Sequence, residues 1–500
     1  MAEPRIDRTL TMEEGPLDWV YLAAGALLQL AVGWRYIIPP AVWISPILLI
    51  RFFRNRSRWL HTLAAIPLLG AVTLLKIHGG WDMSLGLEIA IGFLVALILF
   101  VPLTLDRFLS RRFSGLLATL VYPSLAVLVD YLSAFLPLGS GFSAAVTHFH
   151  AKPLIQMASV TGIWGITFLL AWVPSVVNHV WEGRWDLRFR WRPVAALLLV
   201  SIVVIGAGAL RWSVPRERQT VRVAGITAEH RRDYWAEIID RKVPREEAPL
   251  FRAELARLEE GLFAASERAA ESGARIVFWS EGNGVFYEDR EEAFLRRAAE
   301  FAQTHGVYFA PAVLVLRCGE SVSENKILMI TPEGRLAYSY TKTKSWYPTG
   351  SDGVIHTVDT PYGRVAGAIC FDMDFPSFIR QAGRQEADIV LVPAFDTKAI
   401  RPYHTEVALL RGVENGFSVV RQVNQGTSMA ADHRGRLLAY QDFFETEDRT
   451  MLADVPVSGA WTLYTVLGDW LVYACGLFLV VLLAAVVRRT IPRPASAGSR

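Results

Sequence analysis

Cysteine is scarce in this chain: Cys318, Cys370 and Cys475 are the only three in 500 residues. Three thiols cannot build a disulfide framework, so the fold must be held by packing. Charge is also thin. Asp, Glu, Lys and Arg make up 20% of the residues and the net charge is +3, against about 25% charged residues in an ordinary globular domain. Lysine is rarer still, with seven against 44 arginines. The basic residues lie in short clusters between apolar runs and form no continuous positive footprint, which excludes a nucleic-acid protein. What is plentiful is apolar side chain, 52% of the chain. The excess sits in residues 1–212, whereas residues 215–456 have the composition of a soluble α/β domain.

A bilayer core about 30 Å thick needs roughly 20 apolar residues in a helix. Such stretches occur near 16–33, 37–53, 59–76, 86–104, 113–137, 154–180 and 193–211, with one more near 462–487. Pro39, Pro40 and Pro46 make 37–53 the least regular. The first run opens a series and is followed by no small-residue cleavage site, which argues against a secretory signal. Arginines gather after the second span (Arg51, Arg54, Arg56, Arg58), the fourth (Arg107, Arg111, Arg112), the sixth (Arg184, Arg188, Arg190, Arg192) and the eighth (Arg488, Arg489, Arg493, Arg500). The opposite loops offer only Arg35, Lys76 and Lys152. The positive-inside rule then predicts eight spans, both termini cytoplasmic and the soluble domain outside. The expected organisation is a transmembrane domain over 1–212, an extracytoplasmic domain over 213–458, a terminal span over 459–489 and a cytoplasmic tail over 490–500. One helix anchors a domain adequately. Seven before it imply that the membrane half does more than anchor.

Within the soluble part, residues 220–226 alternate as an opening strand, 246–272 and 291–305 carry helical periodicity, and 275–280 reads as a buried strand. A strand is predicted over 307–316. The turn Pro332-Glu-Gly joins strands 326–331 and 335–340 into a hairpin. Strands follow at 364–370 and 387–393, then a helix at 402–416 and closing strands at 417–423, 427–431 and 436–440. Alternating helices and strands, with strands dominating late, predict a mixed sheet covered by helices.

Three residues carry candidate chemistry. Cys370 follows the apolar run Val365–Ile369 and precedes a turn with Asp372, Asp374 and Pro376. A thiol at a strand end is reachable by substrate and by backbone N–H groups, surroundings expected to lower its pKa and supply an attacking thiolate. The competing reading is a buried small hydrophobe. Glu281 ends a strand between Ser280 and Gly282, as a general base or as a turn cap. Lys342, in Tyr340-Thr-Lys-Thr-Lys344, is placed to stabilise an oxyanion or to be solvated, and Lys344 competes for the role. His148 and His150 form an H-x-H pair with no third ligand at familiar spacing, so no metal is expected.

The order of these residues resembles the carbon–nitrogen hydrolase (nitrilase) superfamily. The matching pieces are Val277-Phe-Trp-Ser-Glu281, Tyr340-Thr-Lys342, Gly367-Ala-Ile-Cys-Phe-Asp372 with Phe375-Pro376, and Arg411-Gly-Val-Glu-Asn-Gly416 followed by Val420-Arg-Gln-Val-Asn424. The segment Pro153–Leu169 in the membrane half is similar to a span of the apolipoprotein N-acyltransferases, the membrane-embedded branch of that superfamily. His404 and the run Arg421, Asn424, Gly426, Ser428 also fit that branch.

The resemblance implies a polytopic α-helical membrane bundle plus an α/β nitrilase-like αββα sandwich. It implies Glu281 as base, Lys342 as oxyanion stabiliser and Cys370 as nucleophile. Phe371, through its N–H, with Asp352, Asp372 and Glu414 would support them, and Trp346, Tyr347 and His404 would meet substrate. The implied partners are a phospholipid acyl donor, a diacylglyceryl lipoprotein acceptor and the bilayer, with no cofactor and no nucleic acid, in a monomer of a bacterial cytoplasmic (inner) membrane.

Two departures stand out. The branch carries Leu-Val-Pro-Phe-Gly-Glu after its lysine, where this chain has Trp346-Tyr-Pro-Thr-Gly-Ser-Asp352, with Asp352 the nearest substitute for the glutamate. It carries Cys-Tyr-Glu where this chain has Cys370-Phe371-Asp372. Both leave a second enzyme reading open, a membrane-anchored amidase acting on an external C–N bond. A non-catalytic receptor on the same fold is the reading of a different class.

Overall fold

The computed structural model describes residues 15–34, 36–56, 59–80, 83–136, 139–215, 219–228, 248–316, 324–345 and 349–490. Helices fall on all eight apolar stretches. Six are long and apolar enough to cross a membrane: Leu60–Ile77, Leu85–Arg112, Gly115–Ser133, Ile163–Glu182, Arg190–Ser213 and Trp470–Arg489. The helix Pro39–Asn55 contains Pro46 and has 17 residues, and Pro16–Ala31 is shorter again. Ile163–Glu182 is the hub of the bundle, with 14 of its 20 residues buried, whereas Arg190–Ser213 is mostly unburied. The latter faces outward with Leu198, Leu199, Ile202 and Val203 exposed, as a lipid-facing helix must.

Some arginines of the clusters between the apolar stretches are structural. Arg54 forms a two-pronged bond to Asp106 at 2.7 and 2.9 Å and reaches Glu182 at 3.3 Å, while Arg56 faces Asp18 at 3.7 Å. These pairs tie four helices together at one end of the bundle, in the planar geometry that guanidinium and carboxylate share.

The span expected over 154–180 is broken. Two single turns, Lys152–Ile155 and Ala158–Thr161, precede a stop at Gly162, and the helix restarts at Ile163. Gly162 has φ +66°, and a Cβ there would stand 2.6 Å from the Tyr464 ring. The freed Ile163 N–H donates to Glu414 Oε1 at 2.7 Å. The last stretch is divided likewise, with Leu463–Leu467 separate from Trp470–Thr490.

The second half contains two sheets. The strands are β1 (Thr220–Ile226), β2 (Ile276–Trp279), β3 (Gly284–Tyr287), β4 (Tyr308–Ala310), β5 (Ala312–Leu316), β6 (Glu324–Ile330) and β7 (Leu336–Thr341). They continue with β8 (Thr357–Thr360), β9 (Gly363–Gly367), β10 (Ile389–Phe395), β11 (Ser418–Asn424), β12 (Thr427–Ala431), β13 (Leu437–Asp442) and β14 (Thr450–Pro456). One sheet runs β14-β1-β2-β4-β6-β5-β3 with β7 paired to β6, and the other β13-β12-β11-β10-β9-β8. Parallel pairing joins β1, β2 and β4 in the first sheet and β9, β10 and β11 in the second, β14, β8 and β13 are antiparallel edges, and β3 pairs parallel with β5.

Helices Ala248–Glu271 and Glu291–His305 cover the first sheet, packing Leu262, Phe263, Phe294 and Phe301 on Val277, Trp279 and Phe309. The two inner faces meet through Val223, Phe278 and Met329 against Val365, Ile389 and Val420. Helices Pro376–Arg384 and Tyr403–Asn415 cover the second sheet, which completes the αββα order. All 13 residues of Tyr403–Asn415 are buried. Its far side meets the membrane half: Tyr403, Val407, Leu410 and Val413 share one core with Trp34, Ile155 and Trp164. Each such side chain taken from water contributes about 1.5–3 kcal/mol, so the bundle stands where a soluble sandwich would meet solvent.

Several expectations shift. The strand over 307–316 is two, because Pro311 has no N–H to continue a ladder; both pieces pair with β6, but on the other side β4 meets β2 and β5 meets β3. The strand over 364–370 stops at Gly367. The sheet closes on β14, which returns from beyond residue 440 to pair antiparallel with β1. β3, β8 and the helix Pro376–Arg384 add elements that no periodicity had marked.

Gly162→Ala places a methyl group against Tyr464 in a left-handed conformation. The expected loss is about 1–3 kcal/mol, read as a lower unfolding midpoint in detergent. An unchanged midpoint would mean that the helix break is not fixed by this glycine.

Candidate active site

Glu281 lies two residues beyond the end of β2, Lys342 directly after β7, and Cys370 three residues beyond β9. Phe395 ends β10. The carboxyl ends of parallel strands are where open α/β sheets place their ligands, and here both sheets contribute to one point.

The Glu281 side chain is 1% exposed and accepts three hydrogen bonds. Lys342 Nζ donates to Oε1 at 2.6 Å, Asn325 Nδ2 to Oε1 at 2.7 Å, and the Phe395 N–H to Oε2 at 3.0 Å. The hairpin accounts for two of them. The Lys342 N–H bonds to Asn325 O at 2.8 Å, so adjacent strands present both donors together. An ionised carboxylate has about four lone-pair sites, which leaves one on Oε2 for a proton. Lys344 is turned away, its ammonium over Phe375 at 4.9 Å and Phe378 at 5.5 Å. Lys342 is therefore the lysine of the site.

Cys370 has φ +47°, a left-handed conformation that costs a non-glycine residue about 1–3 kcal/mol. It opens the tight turn Cys370–Asp374, so the thiol is presented on an elbow. Asp372 holds that elbow: its carboxylate accepts from Ile369 N at 2.9 Å, Lys344 N at 2.7 Å and the Tyr340 hydroxyl at 2.6 Å. The same side chain thus locks the nucleophile's turn to the segment that carries Lys342. Burial pushes the Asp372 carboxyl up to about 6 against the pull of these bonds.

The Cys370 thiol donates to Phe395 O at 3.5 Å, and the Phe395 N–H donates to Glu281, so one residue touches both. The sequence-based expectation of a lowered thiol pKa is corrected. Burial first, then the Glu281 carboxylate, push the thiol well above its ordinary value, and Lys342 only partly offsets them. Cys370 therefore rests as a protonated thiol.

A second buried cluster adjoins the elbow. Arg421 donates to both oxygens of Asp396 at 3.0 and 3.2 Å, with neither side chain exposed. His404 Nδ1 lies 3.6 Å from Asp396 and 3.9 Å from Asp374, and its ring stacks on Phe371. Burial lowers the pKa of His404 and raises that of Asp396 to about 6 despite Arg421.

Residues 248–461 match the carbon–nitrogen hydrolase family. The apolipoprotein N-acyltransferase of Geobacter metallireducens is 26% identical over 82% of this chain and 81% of its own length. That of Pasteurella multocida is 21% identical over 91% of this chain and 89% of its own. Residues 248–461 are thus a carbon–nitrogen hydrolase domain, and over most of its length the chain is similar to the apolipoprotein N-acyltransferases. Among solved structures, an amidase from Nesterenkonia sp. aligns over 49% of this chain and 94% of its own at 16% identity and a TM-score of 0.37.

Not every residue expected in this hydrolase site is there. Asp352 is 56% exposed, caps the Val354 N–H and pairs with His356 at 3.0 Å; it turns a surface loop and does not stand in for a catalytic glutamate. Glu414 binds Ile163 N and Arg411, the latter at 2.6 Å, so it joins the domain to the bundle instead of supporting the triad. Trp346, Tyr347 and Cys318 lie outside the described residues. Cys475 is buried in the terminal helix. His148 stacks on Trp43 while His150 is exposed.

Asn325, the Phe395 peptide and Asp396 went unnoticed in the sequence. The one available signal was an asparagine between Glu324 and Lys326 at the polar start of β6, next to the apolar run Ile327–Ile330.

Because the thiol pKa is raised, alkylation of Cys370 by iodoacetamide, followed by peptide mass spectrometry, is expected to keep rising through pH 9. A plateau below pH 7 would reveal a preformed thiolate.

Proposed function

We propose that this protein is a membrane N-acyltransferase that moves a fatty acyl chain from a phospholipid, through a thioester on Cys370, to the N-terminal amine of a diacylglyceryl-cysteine lipoprotein. The observation that carries the reading is the seam between the site and the bundle. The elbow's Asp374 carbonyl accepts from both the N–H and the hydroxyl of Ser140 at 2.7 and 2.8 Å. A Cβ on Gly139 would come within 2.8 Å of that carbonyl oxygen. Thr397, just after β10, donates to Gly80 O at 2.6 Å, and the Tyr403 hydroxyl to Gly141 O. A small soluble amide needs no such contact, whereas two lipid-borne substrates must meet the thiol where it joins the membrane half.

In this scheme Cys370 gives its proton to Glu281 as Sγ bonds to the ester carbonyl carbon. Lys342 and the Phe371 N–H stabilise the oxyanion. Collapse breaks the ester C–O bond, and Glu281 returns the proton to the departing lysophospholipid oxygen. The lipoprotein amine then attacks the thioester, gives a proton to Glu281, and the C–S bond breaks as the thiol is reprotonated. Neither half-reaction calls for a cofactor. Both termini are read as cytoplasmic, with the catalytic domain on the outer face of a bacterial cytoplasmic membrane and the chain acting as a monomer.

Incubating the purified protein with acyl-labelled phospholipid is expected to leave hydroxylamine-labile label on the Cys370 peptide. Glu281→Gln and Lys342→Ala should each slow labelling by about 10²–10³-fold. Equal labelling in all three proteins would sink the role assignments, and amide hydrolysis without acyl label would favour the amidase. For topology, Glu333→Cys should react with an impermeant maleimide in cells whose outer membrane is opened, and Arg188→Cys only after lysis. The reverse pattern would invert the orientation.

A further inference from the structure

The nucleophile belongs to two clusters at once. Besides Glu281 and Lys342, its sulfur adjoins Asp396 and His404, and one donor atom from each of these three residues lies within 4.8 Å of the others. Thiolate, imidazole and carboxylate are the donor types that zinc takes, with bonds of about 2.0–2.3 Å that set neighbouring ligand atoms about 3.3–3.8 Å apart. His404 Nδ1 and Asp396 Oδ1, at 3.6 Å, already stand at that spacing. The sulfur has at most about 1 Å to travel, a small rotation about a single side-chain bond.

We propose that Cys370, Asp396 and His404 form a binding site for Zn²⁺ or a similar borderline-soft divalent ion, which reversibly masks the nucleophile. The Sγ–Zn bond forms as the thiol proton leaves to solvent, and no electron is transferred. Thiolate and carboxylate together neutralise the ion, and its remaining position is open to water. Arg421 stays on Asp396, whose spare lone pairs accept the metal, and so orients the ligand as an outer-shell partner does. Glu281 and Asp374 offset the positive charge of Lys342 and Arg421, both of which also face the thiol. The ion is an inhibitor here, since it occupies the sulfur that must attack. The site stands whether or not the transferred group is a fatty acyl chain, because its ligands are fixed by the fold.

The test uses the full-length protein in detergent with zinc chloride alone. One equivalent of Zn²⁺ is expected to slow iodoacetamide alkylation of Cys370 by tenfold or more, and EDTA should restore it. Co²⁺ should give a sulfur-to-cobalt charge-transfer band in the near ultraviolet that Cys370→Ala abolishes. His404→Gln and Asp396→Asn should each raise the zinc concentration for half-protection by tenfold or more. If Asp396→Asn fails to fold because it strands Arg421, His404→Gln and the cobalt band of the unaltered protein decide. Protection undiminished in His404→Gln, or a cobalt band that persists in Cys370→Ala, overturns the proposal. Neither readout involves acyl transfer, so failure of the metal site and failure of the proposed activity are separable.

Discussion

A carboxylate withdrawn from water must be given back its hydrogen bonds, and in this protein the Glu281 carboxylate imposes that constraint. An isolated buried charge costs several kcal/mol after relaxation, and the chain meets the cost with three donors, Lys342, Asn325 and the peptide of Phe395, all far from Glu281 in sequence. Two of these sit on one hairpin and the third ends a strand of the opposite sheet. The requirement therefore fixes the register of the sandwich at the point where chemistry is to occur. Cys370 joins through Phe395 O, and Asp372 ties its strained elbow back to the Lys342 segment.

The same arrangement decides the state of the nucleophile. Enzymes that use thiols often hold them ionised with a neighbouring cation. Here Lys342 is already committed to Glu281, and the thiol feels burial and a nearby negative charge more than it feels the lysine. In the proposed mechanism the protonated thiol, with a hydrogen-bonded carboxylate nearby, makes deprotonation part of the attack. A protonated sulfur is also less open to stray electrophiles, since the thiolate is the reactive form.

The sandwich is also open on one side in a sense that soluble relatives of this architecture need not be. Its fourth layer, Tyr403–Asn415, is buried over its whole length because the bundle covers its outer face. The elbow and the segment after β10 hydrogen-bond to loops of the membrane half. Glu414 makes the exchange mutual by accepting the N–H freed where the helix breaks at Gly162. A residue with the look of a catalytic auxiliary in the linear chain thus proves to be a joint between the two halves. Site geometry and bundle geometry are consequently coupled through short polar contacts, which are directional, as well as through apolar packing, which is not.

What the sequence determined by itself was whatever depends on local pattern. Apolar runs of span length marked the membrane helices, strand periodicity and the Pro332-Glu-Gly turn marked the hairpin, and Glu281, Lys342 and Cys370 were singled out because each follows a predicted strand and their order resembles that of the carbon–nitrogen hydrolases. Only the tertiary structure decided between Lys342 and Lys344, since both satisfy the same local pattern and only contact with Glu281 separates them. The roles of Asp352 and Glu414, the break at Gly162, the return of β14 to β1 and the Asp396–Arg421 pair were equally out of reach. All but the local turn of Asp352 depend on a partner tens to hundreds of residues away, and the thiol's pKa depends on burial and on charges from four separate segments. Periodicity reports which face of an element is apolar; it does not carry the distances across which electrostatics and hydrogen bonding act.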